Sequence, residues 1–180
     1  IGTIVVGFYS NYSMVVNSII VFTTIVFNAV HSSIGNLNTN NDKKYQYKVF
    51  KTLDFVSFWI FGFCSVCLYV LFNNFIGLWV GQEYILESKV VAIIVLNFYI
   101  AGILNPISVF RDTTGLFKST KYIPIAAATI NILFSIILGK LWGLFGIFIA
   151  TAIARLSTSF ILEPRILMKQ YLNESVIKYY

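Results

Sequence analysis

The chain has 180 residues, of which 58% are hydrophobic and only 11% are charged, and its mean hydropathy is +0.80. A soluble domain would carry about 25% charged residues, so the composition excludes an ordinary soluble domain and predicts an integral membrane chain. The net charge of +6 does not indicate nucleic acid as a partner, because the basic residues stand in short segments between apolar spans. Residues 1–6 lack the basic start and the cleavage site of a signal peptide. We therefore expect a piece of a longer polytopic protein.

Five stretches have the length and apolar character of a membrane-spanning helix, which needs about 20 mostly apolar residues. In chain order they are residues 6–33, 52–72, 90–110, 122–139 and 141–162. The fold class predicted from this pattern is all-α, a polytopic membrane helix bundle with five transmembrane helices. Almost nothing separates the last two stretches at Gly139 and Lys140, so they must form a tight antiparallel hairpin.

The third stretch carries a proline, and we expect the helix to break at Asn105 and Pro106. Proline removes a backbone donor, so neighbouring helices or water must satisfy the freed carbonyl. Such a break is commoner beside a cavity than against lipid. A polar turn at residues 110–115 follows the break.

Lysine and arginine predict the orientation, because cytoplasmic loops retain positive charge. Ten basic residues fall on one side if the five spans alternate in direction, and only isolated lysines fall on the other. The chain is therefore expected to start outside and to place its tail, residues 163–180, in the cytoplasm. The ten are Lys43, Lys44, Lys48, Lys51, Arg111, Lys118, Lys121, Arg165, Lys169 and Lys178.

The first span is too polar to be surrounded by lipid. Its polar residues fall within one arc of about 80° at 100° per residue. The face consists of Ser10, Ser13, Asn17, Thr24, Asn28 and His31. It could serve interhelical hydrogen bonding in a packed bundle or line a solvated transport cavity. The third span repeats the theme with Asn97 and Asn105, and His31 near the cytoplasmic boundary could be an interface residue or a ligand.

Arg155 lies inside the fifth span, roughly 12 Å from its cytoplasmic end at 1.5 Å per residue. An intramembrane arginine is costly and is a candidate functional residue. It could snorkel to the interface or pair with Asp112 or Glu163. Alternatively, it could offer its planar fork to phosphate oxygens in a water-filled cavity. The opposite face of the same span is a stripe of small residues expected to pack closely, namely Gly146, Ala150, Ala154 and Ser157.

Catalytic and metal chemistry are not indicated. No Ser/His/Asp or Cys/His set, glycine-rich phosphate loop or carboxylate pair converges in the sequence, so we expect no enzyme and no cofactor. Cys64 and Cys67 form a C-x-x-C inside an apolar helix with no second pair, which favours packing over a metal site. Asp54 is interpreted as an interfacial residue, and Arg111 and Asp112 as a pair that neutralises itself.

Five ordered blocks of the chain resemble the C-terminal part of Wzx-type polysaccharide repeat-unit flippases of Gram-positive bacteria. These belong to the multidrug/oligosaccharidyl-lipid/polysaccharide exporter superfamily, and the similarity covers nearly the whole chain. The blocks are VGFYSNY at 6–12, SIGNL at 33–37, FWIFGFC at 58–64, FRDTTGLF at 110–117 and ILEPR at 161–165.

The resemblance implies a MATE-like transporter of two lobes in the bacterial plasma membrane, with this chain forming most of the second lobe. The expected substrate is an undecaprenyl-pyrophosphate-linked oligosaccharide, carried from the inner to the outer leaflet for capsule or surface polysaccharide assembly. The expected partners are this lipid-linked oligosaccharide, membrane lipid and the missing N-terminal lobe, without which the piece should not transport. A polysaccharide polymerase and glycosyltransferases are further partners that the resemblance suggests.

Two other functions stay open at this point. One is an ion-coupled exporter of drugs or metabolites of the same superfamily, whose coupling ion the sequence does not identify. An exporter of cations should place acidic groups among its central helices, and the spans have none there. The other is a non-transporting membrane scaffold for polysaccharide synthesis, which would not need the polar faces.

Overall fold

The protein is seen in a computed structural model that describes residues 3–37 and 43–179, and these ranges are helical without any β-strand. Four helical stretches are long and apolar enough to cross a membrane: Ile4–Ile25, Lys43–Trp79, Ser88–Thr114 and Phe117–Leu172. The predicted all-α class is thereby confirmed, and the apolar helices support a membrane chain, with four candidate spans where the sequence predicted five. The helices are α1 (Thr3–Leu37), α2 (Lys43–Trp79), α3 (Ser88–Ile103), α4 (Asn105–Thr114), α5 (Phe117–Thr120), α6 (Ile123–Ser157) and α7 (Ser159–Ile166).

The predicted break in the third span is confirmed. Leu104 separates α3 from α4, and Pro106 lies in the first turn of α4. Because proline has no N–H, the carbonyl of Gly102 loses its ordinary partner four residues on. The hydroxyl of Ser57 on α2 donates to that carbonyl over 2.8 Å. A Cβ at Gly102 would overlap the Phe61 ring, so the glycine lets α2 approach closely enough for this bond.

Helix α6 reverses direction at Gly143, whose φ of 59° and ψ of −136° are not helical. The side chains of Asn131 and Thr151 lie 3.4 Å apart across this point. Twenty residues of continuous helix would separate them by about 30 Å. We call residues 123–142 the first arm of α6 and residues 144–157 its second arm. The predicted antiparallel hairpin is therefore present.

The reversal lies slightly later than the sequence suggested. Gly139 and Lys140 are still helical, and the chain turns at Gly143, where the absence of a Cβ permits positive φ. The arms meet at Gly146, where a Cβ would overlap the carbonyl of Leu138. Because the residues at this contact are small, the backbones of the two arms pack directly against each other.

The small-residue stripe of the second arm packs as predicted over most of its length. Gly146, Ala150 and Ala154 are buried, whereas Ser157 is exposed. The stripe therefore ends before the last turn of α6.

Two apolar clusters hold the helices together. The first joins α1, α2 and α3 and includes Tyr12, Phe61, Phe72, Ile76, Val91 and Phe98. The second joins the start of α2 to α4 and to the segment that follows α7, and includes Phe50, Ile107, Phe110, Leu167 and Met168.

Two boundaries differ from the sequence-based prediction. Helix α2 begins at Lys43, nine residues before the predicted start at residue 52, so the lysines expected in a loop lie on its first turns. Part of the segment before it, residues 38–42, lies outside the described ranges. The predicted tail is packed at its start, because Leu167–Leu172 forms a π-helical turn whose apolar side chains are buried.

The bond between Ser57 and the Gly102 carbonyl can be tested with a double-mutant cycle. We expect Ser57→Ala to lower the free energy of unfolding by about 1 kcal/mol. The cost should fall by at least half in a Pro106→Ala background, where residue 106 regains an N–H for Gly102. Unfolding in detergent micelles measures both costs, with Ser10→Ala, an exposed hydroxyl, as the control. Equal costs in both backgrounds would contradict this role for Ser57.

The contact between the arms of α6 makes a second prediction. Gly146→Ala should destabilise the protein by about 1–3 kcal/mol, because the added methyl has only backbone to displace. The matched control is Gly62→Ala, where the nearest atom is an aromatic carbon of Tyr99 at 3.9 Å and helix propensity favours alanine. Melting curves in detergent compare the two, and a neutral Gly146→Ala would contradict the close approach.

Candidate functional site

An open groove of about 780 Å³ runs along the polar face of α1. Three residues of the predicted face, Ser10, Ser13 and Asn17, line it, and all its lining residues belong to α1. We call it the α1 groove; its lining is Val6, Tyr9, Ser10, Ser13, Met14, Asn17, Ser18 and Val21. Three of the polar lining residues, Ser10, Asn17 and Ser18, are exposed.

The hydrogen bonds of this face stay within α1. The hydroxyls of Ser10 and Thr24 donate to backbone carbonyls three and four residues earlier, over 2.6 and 2.7 Å. The amide of Asn17 donates to the Ser13 hydroxyl over 3.3 Å. Of the two alternatives for this face, interhelical bonding is thus not seen for these side chains in residues 3–37 and 43–179. Their remaining hydrogen-bonding capacity faces the groove or the surface.

Three further candidates are not seen to line the groove. The side chains of Asn28 and His31 lie outside the described residues, although their backbone belongs to α1. Asn105 begins α4 and is half-buried, and its side chain makes no hydrogen bond within the part of the chain that the structure describes.

Asn97 and Arg155 form the polar centre between α3 and the second arm of α6. The Asn97 amide nitrogen donates to the carbonyls of Ile93 and Phe148, both over 2.9 Å. Its backbone carbonyl accepts a bond from Nη1 of Arg155 over 3.0 Å. Its side-chain oxygen is buried and has no partner among the described residues. Asn97 is only 7% exposed, so it is a structural link that also fixes the arginine.

An aromatic contact connects this centre to the α1 groove. The ring of Phe148 packs on the ring of Tyr9, with centroids 4.9 Å apart, and Tyr9 lines the groove. The structure therefore brings Ser13, Asn97 and Arg155 to one region around Tyr9, a residue that the sequence analysis did not select.

Arg155 has no carboxylate partner in the described ranges. Both acids proposed for it bind Arg111 instead: Nε lies 3.0 Å from Asp112 and Nη1 lies 3.2 Å from Glu163. The ion-pair alternative for Arg155 is therefore wrong, and the predicted pairing of Arg111 with Asp112 is confirmed. A guanidinium has five N–H donors, and the single bond to Asn97 leaves most of them for water or a ligand.

Tyr12 is a second residue that sequence reasoning missed. Its ring is fully buried, and its hydroxyl donates to Asn73 on α2 over 2.6 Å. The same hydroxyl accepts from the N–H of Leu86, and the amide of Asn73 donates to the Leu86 carbonyl over 3.2 Å. This network fixes α1 against α2 and the following loop. The polar pair Asn73 and Asn74 in an apolar helix was the available signal.

The two cysteines are free, half-buried thiols. The side chains that the structure describes include no group of three or more His, Cys, Asp or Glu placed to hold a metal ion.

No protein-family model, curated protein or solved structure matches the chain. The resemblance to repeat-unit flippases thus stays a prediction that rests on its five sequence blocks.

Water access to the α1 groove can be tested by cysteine labelling in membranes. Asn17 and Phe22 are both exposed on α1, but five residues turn the helix by about 140° between them. In a Cys64→Ala, Cys67→Ala background, an impermeant methanethiosulfonate should label Asn17→Cys at least tenfold faster than Phe22→Cys. The reason is that only a hydrated thiol ionises readily. Similar rates at both positions would show that the groove faces lipid.

Proposed function

We propose that this chain is part of a membrane flippase that carries an anionic, lipid-linked oligosaccharide from the inner to the outer leaflet. The observation that carries the proposal is the open groove along the polar face of α1, whose Tyr9 packs on Phe148 beside the hydrogen-bonded pair Asn97 and Arg155. In the form that the resemblance suggests, the substrate is an undecaprenyl-pyrophosphate-linked repeat unit of capsule or surface polysaccharide.

The arrangement suits a charged headgroup. A pyrophosphate with sugars attached cannot cross hydrocarbon unaided, because desolvating charge and hydroxyl groups is costly. The α1 groove offers hydroxyls and the Asn17 amide to the sugars. Arg155 offers the unused edge of a planar guanidinium, which matches two phosphate oxygens at once.

The lipid tail has a path beside the headgroup groove. An apolar groove of about 480 Å³ between α1 and α2 is lined by Ile19, Phe22 and Ile60, and Ser18 lines both this groove and the α1 groove. Polar and apolar surfaces thus meet along one side of α1. An amphiphile with a polar head and a long hydrocarbon tail fits this division better than a small soluble solute does.

The proposal also includes the number of spans, the lobe that they form and their orientation in the membrane. If each arm of α6 spans the membrane, the chain has five spans and forms most of the second lobe of a MATE-like transporter. The missing lobe would form the opposite wall of the α1 groove, and rocking of the lobes would alternate access. On this proposal the end of α2 that carries the lysines faces the cytoplasm of a bacterial cell, because cytoplasmic segments retain positive charge, and the chain start lies outside.

A cation exporter of the same superfamily is less well supported at this site. An exporter of cations should have acidic groups in its cavity, and the residues that line the α1 groove include none. Glu163 is engaged by Arg111. We also propose no chemical step for the protein, since its task on this account is translocation.

Arg155 provides the sharpest test in proteoliposomes that contain the complete natural protein. The probe is a fluorescent undecaprenyl-pyrophosphate oligosaccharide, followed by its exposure to an impermeant glycosidase. We expect Arg155→Gln to slow flipping at least tenfold, in line with about 1.5–3 kcal/mol for hydrogen bonds to charged groups. Arg155→Lys should give an intermediate rate, because it keeps the charge and loses the fork.

Arg165, which is exposed near the end of α7, supplies the matched control. Arg165→Lys should flip at the wild-type rate. Wild-type flipping by both Arg155 variants would show that this arginine does not bind the pyrophosphate. If the wild-type protein exports an organic cation and does not flip the probe, the flippase proposal is wrong and the exporter proposal is favoured.

A further inference from the structure

A separate cavity of about 420 Å³ lies between α2, α3, α7 and the turn at Val176–Lys178. It shares no lining residue with the α1 groove. Its walls are mostly aromatic, and among the described residues that line it Asp54 carries the charge. The lining residues are Asp54, Phe58, Tyr99, Ile103, Phe160 and Tyr179.

Asp54 is half-buried, and its carboxylate accepts a hydrogen bond from the Tyr179 hydroxyl. Lys51, one turn earlier on α2, interacts with it electrostatically, and Asp54 forms no ion pair with any side chain that the structure describes. An ionised carboxylate has about four acceptor positions. The carboxylate therefore faces the cavity with acceptor capacity to spare.

The walls define the kind of cation that would suit this carboxylate. The rings of Phe58 and Tyr99 lie with centroids 6.3 Å apart at 70°, and the negative faces of aromatic rings attract weakly hydrated cations. Ca²⁺ would require six or more oxygen ligands, and the lining side chains supply one carboxylate and two phenols. An organic cation matches this lining, whereas a hard metal ion does not.

We propose that the Asp54 cavity is a binding site for an organic ammonium group, with the carboxylate neutralising the charge and the aromatic rings enclosing it. The cavity volume falls within the range of about 300–1,000 Å³ that small-molecule sites occupy. The group can come from a soluble amine or from the headgroup of a membrane lipid. The site stands apart from Arg155 and does not depend on the flippase proposal.

The test uses the complete natural protein in nanodiscs of phosphatidylglycerol, which carries no ammonium group. Choline chloride is titrated by calorimetry, with sodium chloride at equal ionic strength as the blank. We expect saturable binding that Asp54→Asn weakens at least tenfold. Asp112→Asn, which removes an acid outside the cavity, should leave the affinity unchanged.

Ring variants keep the test decisive if Asp54→Asn disturbs folding. Tyr99→Phe retains the ring and should bind choline within twofold of wild type, whereas Tyr99→Leu should bind at least threefold more weakly because the cation loses an aromatic face. Thermal unfolding of each variant in the same nanodiscs shows that it is folded.

A second set of nanodiscs identifies the source of the ammonium group. If phosphatidylcholine in the bilayer weakens the binding of added choline, the site takes a lipid headgroup. If it does not, the site takes a soluble cation, and both results support the proposal. No saturable binding by the wild type, or equal effects of Asp54→Asn and Asp112→Asn, would overturn it.

Discussion

The contact on which the site depends is the one that Asn97 makes across the bundle. Its amide ties α3 to the second arm of α6 through the carbonyl of Phe148, and its own carbonyl holds Arg155. An arginine among membrane helices must be hydrated or hydrogen-bonded, and here a neutral backbone carbonyl meets it without cancelling its charge. Because Phe148 also packs on Tyr9, the same link fixes the arginine relative to the α1 groove.

Two irregularities in the backbone make that contact possible. Pro106 ends the regular bonding of α3, and Ser57 binds the Gly102 carbonyl, which the proline deprives of its ordinary donor four residues on, so α2 is held against α3 at the break. Gly143 turns α6 back on itself, so the second arm runs beside the first and brings Arg155 to α3. Pro106 and Gly143 each change the backbone locally, and each change brings residues together that are far apart in the chain. The site is a product of where the helices bend as much as of which polar residues they carry.

Local signals in the sequence predicted the helices and the places where they bend. They did not predict which residues of different helices contact each other. Hydropathy and helical periodicity indicated the spans and the polar face of α1, and Pro106 marked the break because its chemistry acts within one turn. The reversal was placed only a few residues from Gly143 for the same reason. The partner of Arg155 was missed because a backbone carbonyl has no sequence signature, and Tyr12 was missed because its partner Asn73 lies 61 residues away in the chain. The proposed flippase function comes from the resemblance. The contacts support it only because their polar groups and Arg155 suit an anionic headgroup.

The most direct test is made in cells that lack the gene, by mass spectrometry of undecaprenyl-linked oligosaccharides. Treatment of intact cells with an impermeant glycosidase assigns each species to a leaflet. A flippase predicts that complete repeat units accumulate, are protected on the inner leaflet, and return to normal when the complete protein is restored. Unchanged lipid-linked precursors and surface polysaccharide, together with reduced efflux of organic cations, would contradict the account and favour an exporter.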